Sequence, residues 1–168
     1  MVNASLADLR TGSLVELIGS NEIAPGAGAA GAVALALGAA CAAKAAAVSL
    51  RHSLDDTRPS LALTHLGKLR DCALQGADTD ARTFADYIRH RTAEGARELT
   101  EKGEAMAHLI GALLLVIEEV ERFVRPSMTG DLTAAKALAT AARTIQTANE
   151  AEAKAEERTI AAHPSTRA

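Results

Sequence analysis

Aromatic side chains are almost missing from this chain. Tryptophan is absent, tyrosine occurs once and phenylalanine twice, so aromatics make up 2% of the residues. Strands favour aromatic and β-branched residues, and this scarcity argues against a sheet protein. Cysteine is scarce as well. Cys41 and Cys72 have no short spacing, so they form neither a zinc site nor a disulfide framework. They are expected to be buried free thiols in a reducing cytosol. An excess of positive charge is also missing. Eighteen Lys and Arg against 21 Asp and Glu leave a net charge of -3, so nothing points to nucleic acid or an anionic membrane as a partner. The first residues, Met1-Val2-Asn3-Ala4-Ser5, lack the basic start and apolar run of a signal peptide, and a cytoplasmic location is expected. No solenoid repeat or long low-complexity segment stands out beyond an alanine bias.

What the chain does have is 48% apolar residues. With few aromatics, the core falls to Ala, Leu, Val and Ile, and an Ala/Leu/Glu/Lys/Arg-heavy composition reads as helical. At 168 residues one domain spanning 1–168 is expected, with a disordered tail over 162–168. The fold class predicted is all-α, an up-and-down bundle of about five helices around a central Ala/Gly-rich helix.

That central helix is predicted from about Gly28 to His52. It follows the turn Ile23-Ala24-Pro25-Gly26-Ala27 and is apolar nearly all round, which argues for a buried position. Its small side chains let neighbouring helices come close, and Gly38 in its interior marks such a contact. Lys44 inside this run, with alanine's weak contribution to insertion, argues against a transmembrane span. Lys44 either reaches the bundle edge, pairing with a carboxylate, or serves as a cation in a ligand pocket.

A short opening helix is predicted over 5–20, with a capping box at Ser13-Leu14-Val15-Glu16. After a polar connector over 53–60, Ser60 is a candidate cap for a third helix running from Leu61 to about His90. Gly76 could bend or split that helix. A fourth helix spans about Ala93 to Val124, capped by Thr92 and carrying Leu109, Ile110, Leu113, Leu114, Ile117 and Val120 at helical spacing. Pro126 stops it. The last helix runs from about Leu132 to Ile160. Its inner stripe is Leu138, Ala142, Ile145 and Ala148, and it is expected to be largely exposed after Asn149.

Two places invite chemistry. Glycines at the start of the central helix let backbone N–H groups approach a ligand, and the helix dipole favours negative charge there; the alternative is an ordinary Gly/Pro helix start. The second is the polar interval Gln75 to Asp80, lying between two apolar stretches. Asp78 and Arg82 are spaced as a solvated i,i+4 pair. Asp80 shares a face with Phe84, so it is either a buried carboxylate with a raised pKa or part of a solvated patch.

Three stretches, taken in order, resemble the cyclodeaminase/cyclohydrolase family: the C-terminal domain of formiminotransferase-cyclodeaminase and the stand-alone methenyltetrahydrofolate cyclohydrolases. The family's Pro-Gly-Gly-Gly-Ser turn corresponds to Pro25-Gly26-Ala27-Gly28-Ala29, and its Asp-Ala-x-x-Phe to Asp80-Ala81-Arg82-Thr83-Phe84. Its Ser-Asp start to the last helix, with a following Asn-Val, corresponds to Gly130-Asp131 and Asn149-Glu150. The resemblance covers roughly residues 10–150. There are departures: Ala27 and Ala29 replace a glycine and a hydroxyl donor, and the basic Gly-Lys segment after the central helix gives way to Leu50-Arg51-His52.

The resemblance implies a one-carbon enzyme acting on a reduced folate or related pterin, either a methenyltetrahydrofolate cyclohydrolase or a formiminotetrahydrofolate cyclodeaminase. No tightly bound cofactor and no metal are expected. Asp80 is the expected catalytic residue. Pro25, Gly26 and Gly28 would hold the ligand, Lys44, Arg51 or His52 would supply a cation, and Asp131 and Asn149 would line the site, unless Asp131 merely caps its helix. A homodimer is implied, with a small-molecule pterin as the ligand and neither nucleic acid nor membrane as partner. The lost hydroxyl and basic segment support a second reading, a non-catalytic or repurposed relative serving as a pterin-binding or assembly module.

Overall fold

The structure, a computed structural model, describes residues 5–52 and 57–162. Five α-helices and no strands occur among the described residues: α1 (Thr11–Ile18), α2 (Ala27–Leu50), α3 (Arg58–His90), α4 (Ala93–Glu121) and α5 (Thr129–Ala162). Short 3-10 turns at Leu6–Asp8 and Pro126–Met128 precede α1 and α5. The four long helices form the predicted up-and-down bundle. α2 packs against α3 and α5, α4 packs against the same two, and α2 touches α4 across the middle. The tail expected to be disordered begins at Ala162, the last helical residue; 163–168 lie outside the described residues, as does 53–56 of the expected connector.

Small residues make α2 central. Leu35, Ala36, Ala39, Ala42, Ala45 and Ala46 are buried with Leu66, Ile110, Leu113 and Ile117, while Ala29 and Ala32 are buried in a smaller cluster with Leu6 and Ala77. A β-carbon on Gly38 would lie 3.1 Å from the carbonyl oxygen of Ala135, so this glycine marks the close backbone approach of α5. By length and composition α2 could cross a membrane. In the fold it is wrapped on one side by the other three helices. The opposite stripe, Ala30, Ala34, Leu37 and Cys41, is not fully covered, and Leu37 is 54% exposed.

Several local expectations change. The capping box does not form: α1 begins at Thr11 with Arg10 as its N-cap, so Ser13 already lies inside the helix. Ser5 caps the preceding 3-10 turn instead. α3 starts at Arg58 after Thr57, which places Ser60 in its first turn. Gly76 does not split α3, which runs continuously from Arg58 to His90; a β-carbon there would lie 2.6 Å from Met106 Cε, the tip of a flexible side chain on α4. The stripe α5 buries is Leu132, Ala135, Ala139, Ala142 and Gln146, offset from the predicted one, with Ala148 exposed. The thiols are not buried: Cys41 is half-buried and Cys72 exposed. Thr92 does cap α4, its hydroxyl accepting from Gly95 N–H at 3.0 Å.

Candidate active site

Helix lengths create the site. α2 has 24 residues, whereas α3, α4 and α5 have 33, 29 and 34. At 1.5 Å per residue α2 is about 36 Å long and its neighbours roughly 44 to 51 Å. The C-terminal part of α3, the N-terminal part of α4 and the C-terminal part of α5 therefore continue past the start of α2. They enclose a cavity of about 610 Å3 whose floor is Gly26, Ala27 and Gly28. That volume lies in the range of small-molecule sites.

The walls follow helical periodicity. α3 contributes Gln75, Gly76, Thr79, Asp80, Phe84 and Tyr87; α5 contributes Gln146, Asn149, Glu150, Ala153 and Glu156. Each set recurs at spacings of three and four, so one face of each helix is turned inward. Residues of α4 from Leu99 to Leu109 complete the enclosure. The polar first half of α4 and the Glu-rich end of α5 thus face the cavity in part, although α5 after Asn149 is largely exposed, as expected.

Asp80 stands where α3 passes the start of α2. The N-cap of α2 is Gly26, which has no side chain to accept from the first turn. The carboxyl of Asp80 takes that place from a neighbouring helix by accepting the backbone N–H of Ala29. Burial pushes the Asp80 carboxyl above the usual carboxylate value, and the Ala29 hydrogen bond opposes this only in part. Gly28 makes the arrangement possible, because a β-carbon there would collide with the Asp80 carboxylate. Gly26 has no such constraint, since nothing lies within contact distance of a β-carbon at that position.

The structure brings Gly26, Gly28, Asp80 and Asn149 to one cavity. Pro25 is buried directly beneath, joined to Ala24 by a cis bond, but does not line it. Lys44, Arg51, His52 and Asp131 are elsewhere. Lys44 lies 16 residues beyond Gly28 on α2, roughly 24 Å along a continuous helix. Its ammonium sits 3.0 Å from Asp131 Oδ1. The pairing reading of Lys44 is the correct one, and Asp131 sits in the first turn of α5 at the far end of the bundle. Arg51 and His52 follow the C-terminus of α2 and are exposed. Asp78 does not pair its carboxylate with Arg82; it accepts from Ser5 Oγ and Leu6 N–H, both at 2.6 Å, and pins the N-terminal turn to α3.

The cations that do line the cavity, Arg91 and Lys102, were missed. Arg91 adopts a left-handed conformation (φ 46°) in the two-residue link between α3 and α4, and its guanidinium lies 2.7 Å from Glu156 Oε1. Gln146 was missed too. It is buried and donates to Glu150 Oε1 at 3.2 Å. An amide in a stripe of alanines was the one available sequence signal for it.

Residues 10–151 match the family model described as formiminotransferase-cyclodeaminase. The chain belongs to this family. No curated protein and no solved structure matches it. Membership makes the chain a helical domain of folate-linked one-carbon metabolism.

Proposed function

We propose that the domain acts on the one-carbon bridge of a reduced pterin bound in the cavity, as a methenyltetrahydrofolate cyclohydrolase or a formiminotetrahydrofolate cyclodeaminase, with Asp80 as the proton-transferring group. One observation carries this reading: Asp80 is a half-buried carboxyl with raised proton affinity, held at a cavity floor beside a helix N-terminus. A carboxyl whose pKa is raised above the usual carboxylate value is better suited both to accept a proton and to return it. In the hydrolytic case water adds to the methenyl carbon while Asp80 accepts its proton. One C–N bond of the adduct then breaks, the departing nitrogen takes the proton held by Asp80, the hydroxyl proton of the adduct passes to water, and a formyl group remains on the other nitrogen. In the deaminating case the exocyclic nitrogen N10 attacks the carbon of the formimino group carried on N5, Asp80 passes the N10 proton to the departing amino group, and the carbon–amino bond breaks to release ammonia and leave the methenyl bridge.

Hydrolysis of methenyltetrahydrofolate, followed by loss of its absorbance, tests this. Wild-type protein should accelerate the reaction and Asp80→Asn should lose about 100-fold or more of that acceleration, the usual scale for a proton-transfer group. Equal rates for the two proteins, in this assay and in one for ammonia release, would overturn the proposal.

A second reading has its own support. Ala29 offers no hydroxyl and is fully buried, and Lys44, Arg51 and His52 lie far from the cavity. A pterin-binding or assembly module would keep ligand affinity without turnover, and the same assays separate the two. In either case we infer a homodimer, with a second copy covering the Ala30, Ala34, Leu37 and Cys41 stripe of α2.

A further inference from the structure

Glu150 stands where the family's motif carries an apolar valine, so a carboxylate in this wall of the cavity is a property of this chain. It is half-buried and lines the cavity. Gln146 lies one turn earlier on α5, is buried, and donates from Nε2 to Glu150 Oε1 at 3.2 Å. The spacing of four puts both side chains on one face of the helix. The pair packs onto α4 at Gly103: a β-carbon there would lie 2.7 Å from Gln146 Nε2 and 3.5 Å from Glu150 Cγ. Glu150 Oε2 accepts no hydrogen bond among the described residues. The wall thus presents a carboxylate that is held through one oxygen and open at the other.

We propose that Glu150, oriented by Gln146, recognises the pyrimidine edge of the folate and makes the cavity specific for a 2-amino-4-oxo ring. The proposal rests on the pterin reading above. That edge offers two parallel donors, the ring N3–H and an N–H of the 2-amino group. A carboxylate offers two parallel acceptors, the same match by which it takes the fork of a guanidinium. Each carboxylate oxygen has two acceptor sites, so the bond from Gln146 leaves one on Oε1 beside those of Oε2. Glu150 and Asp80 then divide the work. The carboxylate on α5 holds the ring, and the carboxyl on α3 at the floor is left for proton transfer.

Calorimetric titration of the full chain with tetrahydrofolate, and with its 2-oxo counterpart in which a carbonyl replaces the 2-amino group, tests this. In the counterpart the carboxylate meets a carbonyl oxygen instead of a donor. Wild type should bind tetrahydrofolate about 10- to 100-fold more tightly, the scale of a hydrogen bond to a charged group. Glu150→Gln presents one acceptor and one donor, which fit N3–H and the 2-carbonyl, so its preference should reverse in favour of the 2-oxo ligand. Misfolding would not produce a reversal. Gln146→Leu removes the group that orients Glu150 but keeps its charge, and should shrink the wild-type preference without reversing it. Equal binding of the two ligands by wild type, or an undiminished preference in Glu150→Gln, would overturn the role of Glu150 while leaving the pterin reading intact. An undiminished preference in Gln146→Leu would overturn its positioning role. Binding of neither ligand by wild type would overturn both readings.

Discussion

Gly28 on α2 and Asp80 on α3 are in a contact that only glycine permits. The Asp80 carboxyl occupies the space a β-carbon would fill and accepts the N–H of the next residue, Ala29. A helix start that lacks its own cap is thus completed by a side chain 52 positions further along the sequence. The carboxyl is half-buried there beside the cavity, and this desolvation raises its pKa against the lowering effect of the Ala29 hydrogen bond.

Gly28→Ala should therefore displace Asp80. The expected cost is about 1–3 kcal/mol, the range for overpacking a close contact, read by chemical denaturation. Combining it with Asp80→Ala should cost less than the sum of the two single changes, because the second removes what the first collides with. Strict additivity would count against the contact.

Asp80 also sets a pH dependence. Its folded-state pKa lies above the ordinary 3.8. Between those two values the folded state binds more protons than the unfolded state, so stability falls as pH rises through that window. Asp80→Asn removes this loss. Relative to wild type, the variant should gain stability as pH is raised from below 3.8 through the window, measured by denaturation at a series of pH values.

Ser49 ties the far end of the bundle together. Its buried hydroxyl donates to Ala45 C=O at 2.8 Å and accepts Arg125 N–H at 3.1 Å, joining the end of α2 to the turn before α5. Ser49→Ala leaves that N–H without its partner and should cost about 1–2 kcal/mol. Hydrogen exchange at Arg125 should speed up, with no change in ligand binding at the other end of α2.

The uncovered stripe of α2 bears on assembly. Light scattering at micromolar concentration should give the mass of a dimer, and Leu37→Glu should shift it towards monomer, because a carboxylate placed at the centre of an apolar interface has no partner. A wild-type monomer would refute the inferred dimer.

The fold was readable from the sequence because it rests on local physics. Alanine and leucine set helical propensity, periodicity set the inner face of α4 although not that of α5, and a turn with Pro and Gly placed the start of α2 within a residue. Asp80 and Phe84 were correctly put on one face, since four residues make one turn wherever the helix lies. What helical spacing could not show was which helix outruns which. The cavity exists because α3, α4 and α5 extend beyond α2, and that offset depends on how the helices slide past one another. Arg91, Lys102 and Gln146 consequently read as ordinary surface or stripe residues, and Lys44, Arg51 and His52 as possible site cations.

Composition and periodicity thus determined by themselves an all-α bundle around a small-residue helix, and the ordered motifs pointed to the family. Tertiary structure alone decided which end of that helix carries the cavity and which charges surround it. The reason is physical. Secondary structure follows from interactions within a few residues, whereas a binding site is made by groups that only the packing of separate helices brings together.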